Sequence, residues 1–93
     1  MNKIIKKYKN YAKERCGIPL FDASIAMVII SDFEHEKVPI HGLDGFRIFG
    51  EMIQPDQDHS IDLSNQKMCW NVAKEFIEKR IKSDVLFEIV AGE

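Results

Sequence analysis

A chain of 93 residues has room for one hydrophobic core and no room for a separate catalytic domain. Apolar residues make up 45% and charged residues 30% of the chain, a balance that is typical of a soluble globular protein and excludes a disordered one. We therefore expect a single domain over residues 1–93. The net charge of −2 gives little indication of partners until its distribution is considered.

Charge is strongly segregated along the chain. Residues 1–15 carry six Lys or Arg against one Glu, a net charge of +5. Residues 16–63 carry nine Asp or Glu against two Lys or Arg, a net charge of −7, and residues 64–93 are balanced. Such segregation indicates charge-selective contacts with other molecules rather than a particular fold.

The cysteines and the longest apolar segment both point to the cytoplasm. Cys16 and Cys69 stand far apart without a C-x-x-C motif, so we expect two reduced, partly buried thiols and no disulfide. The segment IPLFDASIAMVII is interrupted by Asp22 and lacks a following cleavage site, unlike a signal peptide. It is also shorter than the roughly 20 residues that span a bilayer. We expect a cytoplasmic protein with no membrane contact.

The first third of the chain predicts helices. Apolar residues recur at helical spacing over residues 3–16, which predicts an amphipathic helix with a basic solvent face, ended by Gly17 and Pro19. Residues 22–37 fit either a helix or a buried strand, because SIAMVII is rich in β-branched residues. The N-cap Asp22 and apolar residues at every fourth position favour the helix, which would end before Pro39.

The middle of the chain predicts a β-hairpin. Asp44-Gly45 is typical of a type I′ turn, so KVPIHGL and FRIFGEMI are expected to pair across it. Pro39 cannot donate to a strand ladder, which predicts that the first arm lies at a sheet edge. Gly50 predicts a bulge, and HSIDL predicts a short third strand joined through a loop at Pro55.

The last third predicts one long helix and a closing strand. Ser64 is a suitable cap for a helix over residues 65–82, with a buried stripe at Cys69, Val72, Ala73, Phe76, Ile77 and Ile81. VLFEIV is apolar on both faces except for Glu88, which is typical of a strand inside a sheet. The predicted fold is α+β: N-terminal helices followed by a small, mainly antiparallel sheet with one long helix packed on it.

One segment resembles a calcium-binding EF-hand loop but lacks two residues that such a loop requires. DQDHSIDLSNQK places oxygen-bearing side chains at the first, third, fifth and seventh positions of an EF-hand loop. The loop needs glycine at the sixth position, where Ile61 stands, and glutamate at the twelfth, where Lys67 stands. Both the sharp turn and the bidentate ligand are missing.

Other site chemistries are weakly supported. No H-x-x-x-H or C-x-x-C spacing accompanies the histidines, so a transition-metal site would have to be assembled from His41, His59 and Asp58. No nucleophile motif or phosphate-binding glycine loop is present. We expect no metal, no cofactor and no catalytic residues. The alternative is a small metal-binding or hydrolytic enzyme that uses His41, His59 and nearby carboxylates.

Nucleic-acid binding is a further alternative, as a regulatory module built on the basic first helix with Tyr8 and Tyr11. The −7 charge of the middle segment would repel the same phosphate backbone, and the overall pI is near 5.9. Direct binding is therefore disfavoured by the sequence.

The acidic middle segment is best interpreted as a surface for a basic protein partner. Acidic side chains can imitate phosphates, and opposite charge accelerates association. Phe46, Phe49 and Ile53 would supply the apolar anchor that charge alone does not provide. The expected partner-binding residues are Asp44, Arg47, Glu51, Asp56, Asp58, His59 and Asp62.

Residues 42–90 resemble bacterial immunity proteins for nuclease colicins and contact-dependent growth inhibition toxins. The resemblance is carried by GLDGFRI, the acidic loop, the helix NQKMCWNVAKEFIEKRIKS and the closing strand VLFEIV. It implies a small, non-enzymatic cytoplasmic protein that binds and neutralises a cognate toxin, such as a nuclease domain.

Overall fold

The computed structural model describes residues 2–92, an α+β structure with two antiparallel sheets and three α-helices. The elements in chain order are α1 (Lys3–Lys7), β1 (Lys13–Arg15), β2 (Ile18–Leu20), α2 (Ala23–His35), β3 (Ile40–Phe49), β4 (Met52–Asp62), α3 (Cys69–Glu78) and β5 (Leu86–Ala91). β1 and β2 pair with each other, and the second sheet has the order β4-β3-β5. The prediction of an α+β fold with antiparallel sheets is confirmed.

The core lies between the three-stranded sheet and helices α2 and α3. Leu43, Phe87 and Ile89 point into it from the sheet and are at most 4% exposed. The helices contribute Ala26, Ile29, Ile30 and Phe33 of α2 and Cys69, Ala73 and Ile77 of α3. Because side chains alternate along a strand, Asp44 and Glu88 lie on the opposite face of the sheet, which we call the outer face.

The helix over residues 22–37 is confirmed as α2. Asp22 caps it by accepting a hydrogen bond from Ile25 N at 2.9 Å. The helix beginning at residue 3 is much shorter than predicted, because it ends at Lys7 and is followed by a 3-10 turn over Lys9–Tyr11. Ile4 and Ile5 are buried in the core, whereas Tyr8 and Ala12, beyond the helix, pack against it only in part. Residues 13–20 form the β1–β2 hairpin instead.

The β1–β2 hairpin turns at Cys16-Gly17, where φ is +54° and +76°. Positive φ at both central residues is the pattern of a type I′ turn, which favours Asn-Gly and penalises other side chains. We expect Cys16→Asn to raise the free energy of unfolding by about 0.5–1 kcal/mol. Urea denaturation of wild type and Cys16→Asn would measure this, and Cys16→Val should lower stability instead. Equal stability of all three proteins would contradict the turn assignment.

Helix α2 ends in a Schellman motif whose left-handed residue is Lys37, with φ +60°. Val38 N donates to Phe33 O at 2.9 Å and Lys37 N donates to Glu34 O at 3.1 Å. Glycine is preferred at this position because it has no Cβ. We expect Lys37→Gly to raise the thermal midpoint, with a gain of about 0.5–1 kcal/mol, and Lys37→Asn to give a smaller gain. A loss of stability in Lys37→Gly would contradict this expectation.

The predicted turn at Asp44-Gly45 is wrong. Both residues lie inside β3, and the chain reverses at Gly50-Glu51, where Gly50 has φ +62°. Gly50 is therefore a turn residue and not a bulge. β3 is the central strand of its sheet, so the edge position expected from Pro39 is also wrong. Pro39 lies just before the strand, where it removes no ladder hydrogen bond.

The remaining boundaries also differ from the predictions. HSIDL is the end of the long strand β4, which runs through Pro55 without a loop. The helix expected over residues 65–82 is limited to Cys69–Glu78, and its N-cap is Met68, without a side-chain hydrogen bond. Ser64 does not cap it because it donates to Asp62. β5 pairs fully with β3 alone, so it lies at an edge, with a single bridge from Phe21 to Phe87 on its other side.

Candidate functional site

Strand β4 contains a large bulge over residues 57–60. On β3 one residue separates Leu43 from Gly45, whereas on β4 four residues separate their partners Ile61 and Asp56. Gly45 N donates to Ser60 Oγ at 3.0 Å, and Ser60 Oγ donates to Asp56 O at 2.8 Å. A hydroxyl group thus replaces the ladder bond that the bulge removes, as buried polar groups require.

Arg80, just beyond α3, ties the bulge to the rest of the protein. Its Nε and one terminal nitrogen donate to Asp58 O at 3.1 and 2.9 Å. Its guanidinium group lies 3.7 Å from the centre of the Phe76 ring, and it also donates to Phe76 O. A planar guanidinium with this many fixed contacts holds the main chain of the bulge in one place.

An ion-pair network braces the base of the bulge. Arg47 Nε lies 3.0 Å from Asp56 Oδ2, and its Nη1 lies 3.3 Å from Asp84 Oδ1. His59 Nδ1 lies 3.2 Å from Asp56 Oδ2, without meeting the geometry of a hydrogen bond. Burial raises the pKa of Asp56, but His59 and Arg47 outweigh burial and hold that pKa below its ordinary value. Asp58 N completes the network by donating to Asp56 Oδ1.

The carboxylate of Asp58 remains available at the surface. Its main-chain groups are used by Asp56 and Arg80, whereas its exposed side chain accepts no hydrogen bond and forms no ion pair among residues 2–92. The bulge therefore presents one carboxylate on a main chain that is fixed from both sides.

An open groove of about 530 Å³ on the outer face adjoins the bulge. Phe46, Pro55 and Val90 supply apolar surface, and Asp44 and Asp62 supply carboxylates. Ser64 donates from both its main-chain N and its hydroxyl to Asp62 Oδ1, at 2.9 and 2.7 Å. These two bonds lower the pKa of Asp62, so it stays ionised.

Glu88 of β5 carries a further carboxylate on the outer face, next to this groove but outside its lining. It lies directly opposite Asp44 in the β3–β5 register. Burial, and secondly the charge of Asp44, raise the pKa of Glu88 above its ordinary value. Like charges directly opposite each other in a sheet destabilise it, so this pair represents a cost to folding at neutral pH.

We expect Glu88→Gln to stabilise the protein at neutral pH by about 0.5 kcal/mol. A carboxyl whose pKa is raised on folding binds more protons in the folded state, so its stability contribution falls as pH rises through that pKa. The gain should therefore disappear near pH 3.5, about a unit below the ordinary glutamate pKa. Urea denaturation at both pH values would test this, with the exposed Glu78→Gln as control. A gain independent of pH would contradict the Asp44–Glu88 explanation.

The structure distributes the predicted partner-binding residues over four places. Asp44 and Asp62 line the groove. Arg47, Asp56 and His59 form the internal network, in which Asp56 contacts the other two side chains. Asp58 lies on the bulge, and Glu51 lies apart at the Gly50-Glu51 turn.

Two residues important to the site are not among those predicted. Glu88 could have been found as the single charge in an otherwise apolar strand. Arg80 could not, because its role depends on a contact 22 residues distant in the chain. No local pattern in the sequence indicates such a contact.

The histidines do not converge with other ligands. His41 lines the groove, whereas His59 belongs to the network behind the bulge. Among residues 2–92, no three His, Cys, Asp or Glu side chains are grouped closely enough to hold a metal ion. Both cysteines are free thiols, with Cys69 buried and Cys16 exposed rather than partly buried.

No protein-family model matches this chain, and no curated protein is significantly similar to it. None of the helices over residues 2–92 is both long enough and apolar enough to cross a bilayer.

Proposed function

We propose that this protein is a non-enzymatic, cytoplasmic immunity or antitoxin-like protein that neutralises a basic protein toxin, such as a nuclease. It binds through Asp58 on the bulge, through Asp44 and Asp62 in the groove, and through Glu88 opposite Asp44, a set that we call the acidic surface. Its resemblance to immunity proteins for nuclease toxins supports the class of partner.

The observation that carries the proposal is the braced bulge. Ser60, Arg80 and Asp56 satisfy its main chain, while the Asp58 carboxylate stays unpaired among the described residues. A loop that is ordered before binding loses little conformational entropy when its partner arrives. Such bracing is difficult to explain if the acids serve only solubility.

The groove supplies apolar surface beside the acidic side chains. Apolar contacts with Phe46, Pro55 and Val90 lie beside the carboxylates of Asp44 and Asp62. This arrangement suits lysine or arginine side chains, whose aliphatic stems pack on apolar surface while their charged ends meet carboxylates. A basic catalytic cleft contains such side chains, so occupying it would block substrate phosphates.

The test begins with the partner. Affinity capture from the native host, together with the purified product of the adjacent reading frame, would identify it, and calorimetry would measure its affinity. We expect the triple variant Asp44→Asn/Asp58→Asn/Asp62→Asn to bind at least about 100-fold more weakly, because close interfacial charge pairs contribute more than 1 kcal/mol each. The variant should also fail to protect cells from the partner.

The matched control removes three acids elsewhere. Glu36→Gln/Glu75→Gln/Glu78→Gln has the same change in net charge, and all three residues are exposed on or beside helices α2 and α3. It should bind almost as wild type does. An equal loss in both variants would show that net charge, and not the acidic surface, determines binding. A partner without toxic activity would refute the immunity role.

A further inference from the structure

The end of strand β3 has an open edge. On one side, β4 pairs with β3 as far as Phe49. On the other side, β5 begins only at Leu86, which lies opposite Phe46. Residues 47–49 of β3 therefore have no strand beside them on the β5 side. An unpaired strand edge of this kind is a template on which another extended segment can pair.

Ile48 presents its main-chain N–H and C=O to this open edge. Bonded and non-bonded pairs alternate along the β3–β4 hairpin, beginning with the bonded pair Phe49–Met52 that closes the two-residue turn. The next pair, Ile48–Ile53, is therefore non-bonded. In a non-bonded pair the main-chain groups of both residues point away from the hairpin, so those of Ile48 point to the side that β5 does not reach.

The hydrogen bonds of the structure agree with this orientation. Gly45 N, three residues before Ile48, points the opposite way and donates to Ser60 Oγ of β4 at 3.0 Å. Within residues 2–92, Ile48 N and Ile48 O bond to no side chain and to no main-chain group outside the strand ladder. The open edge thus offers one donor and one acceptor to an incoming strand.

A recess of about 320 Å³ lies in front of the open edge, between the end of β3 and strand β1. Ile48 and Leu86 are half-buried in its wall, and Phe49, which is 60% exposed, borders it. Arg15 of β1 donates to Gly50 O at 3.0 Å and so fixes the β1–β2 hairpin beside this end of β3. A recess of this volume suits the end of a peptide rather than the surface of a folded domain.

The charged residues of the recess leave one cation without a partner. Lys13, Arg47 and Asp84 line it. Arg47 forms ion pairs with Asp56 and Asp84, at 3.0 and 3.3 Å. Lys13 is exposed and forms no ion pair within residues 2–92. The lining therefore has two cations and one carboxylate, and Lys13 is available to bind a carboxylate of another molecule.

The C-terminal end of a peptide combines the groups that this recess can bind. An extended main chain offers an N–H and a C=O to Ile48, and an apolar side chain can pack on Leu86. A free C-terminus carries its carboxylate directly on the main chain, so that carboxylate can meet Lys13 while the preceding residue pairs with Ile48. Charge and main-chain geometry thus indicate the same kind of occupant.

We propose that the recess binds the extended C-terminal end of a partner protein by strand addition. The residue before the last exchanges two main-chain hydrogen bonds with Ile48, and the terminal carboxylate binds Lys13. The inference is independent of the acidic surface, because no residue that lines the recess also lines the groove. A second copy of this chain pairing along the same edge is the competing occupant, but the β1–β2 hairpin stands where its sheet would have to lie.

The experiment is fluorescence anisotropy with the labelled peptide Gly-Ser-Gly-Thr-Val-Val, as the free acid and as the C-terminal amide. β-Branched residues are used because they favour the extended conformation. We expect the free acid to bind at least about tenfold more tightly, because a hydrogen bond to a charged group contributes that much. N-methylation of the first valine removes the donor to Ile48 O and should weaken binding about fivefold. N-methylation of the serine, outside the recess, should leave the affinity unchanged.

Variants of the protein test the two contacts separately. Ile48→Pro removes the amide donor and should weaken binding about fivefold. Ile53→Pro is the matched control, because its amide faces the opposite edge of the same hairpin, and it should bind as wild type does. Lys13→Gln should bind the free acid and the amide equally. Lys9→Gln changes an exposed lysine outside the recess and should keep the preference for the free acid.

The outcomes separate the possibilities. No binding of the free acid at about 1 mM, or equal affinity of wild type for acid and amide, would overturn the proposal. Binding that neither Ile48→Pro nor the methylated valine weakens would overturn strand addition. A dimer in sedimentation that Ile48→Pro dissociates and Ile53→Pro does not would assign the edge to a second copy. Circular dichroism would show that each variant is folded, and Lys13→Gln keeps the test decisive if a proline variant is not.

Discussion

Replacing Gly45 by alanine is expected to destabilise the protein by about 3 kcal/mol, the upper end of the usual cost of overpacking. An alanine Cβ would lie 2.5 Å from His59 O and 2.6 Å from His59 Cβ, and 3.0 Å from Val85 Cγ1. Two of these neighbours belong to the bulge, which Arg80 and the Asp56 network hold in place. The clash cannot be relieved by rotating a flexible side chain, so the bulge would have to move.

Urea denaturation of Gly45→Ala would measure the loss, and Gly42→Ala on the same strand is the matched control. There the added Cβ would meet only Ile61 O, at 3.1 Å, so a much smaller loss is expected. Hydrogen exchange should also show faster exchange at Gln57–Ser60 in Gly45→Ala, because the brace is displaced. An equal loss of stability in the two variants would mean that the bulge can move aside to accommodate the added Cβ.

Phe87→Ala is expected to destabilise the protein by about 3–5 kcal/mol, the usual cost of removing a buried aromatic side chain. Phe87 is fully buried near the start of β5, and its main chain exchanges two hydrogen bonds with Phe21, at 2.9 and 2.7 Å. Its ring also lies 6.5 Å from that of His59. A cavity there would loosen the core, the β1–β2 hairpin and the back of the bulge together.

Since domains of this kind are stable by only about 5–15 kcal/mol, Phe87→Ala would be unfolded at moderate temperature. Phe87→Leu, which keeps most of the volume, should lose less than about 1.5 kcal/mol. Phe49→Ala makes the same substitution at a ring that is 60% exposed and should change stability little. Thermal denaturation would rank the stabilities of the three variants. A loss of stability in Phe49→Ala as large as that in Phe87→Ala would contradict the assignment of the core.

Helix α2 could be predicted because its local signals agree. A capping side chain at Asp22, apolar residues at helical spacing and Pro39 beyond its end all indicate the same segment. At residues 3–16 helical spacing alone was insufficient, because a hairpin at Cys16-Gly17 competes for the same residues. Cysteine is an unusual first residue for a type I′ turn, so its sequence signal is weak.

The turn predicted at Asp44-Gly45 was wrong for the opposite reason. The pair is a strong sequence signal for a turn, but in this protein the glycine meets a different requirement. Gly45 is required by the close approach of His59, not by a turn. That approach depends on the bulge in β4, which no local pattern reveals. The acidic character of the site could be read from composition, but its division between groove, bulge and internal network depends on strand register.

Strand β4 also bears on whether copies of this protein pair with one another. It is a long strand with one open side, which in many proteins is the starting point for stacking into fibrils. Bonded and non-bonded pairs alternate along the hairpin from Phe49–Met52, which closes the two-residue turn. Three positions further, Phe46–Pro55 falls on a non-bonded pair, so an amide at Pro55 would face the open side. Two residues later the bulge breaks the line of the strand. The distortion that presents Asp58 therefore also deprives an incoming strand of a continuous template along this edge.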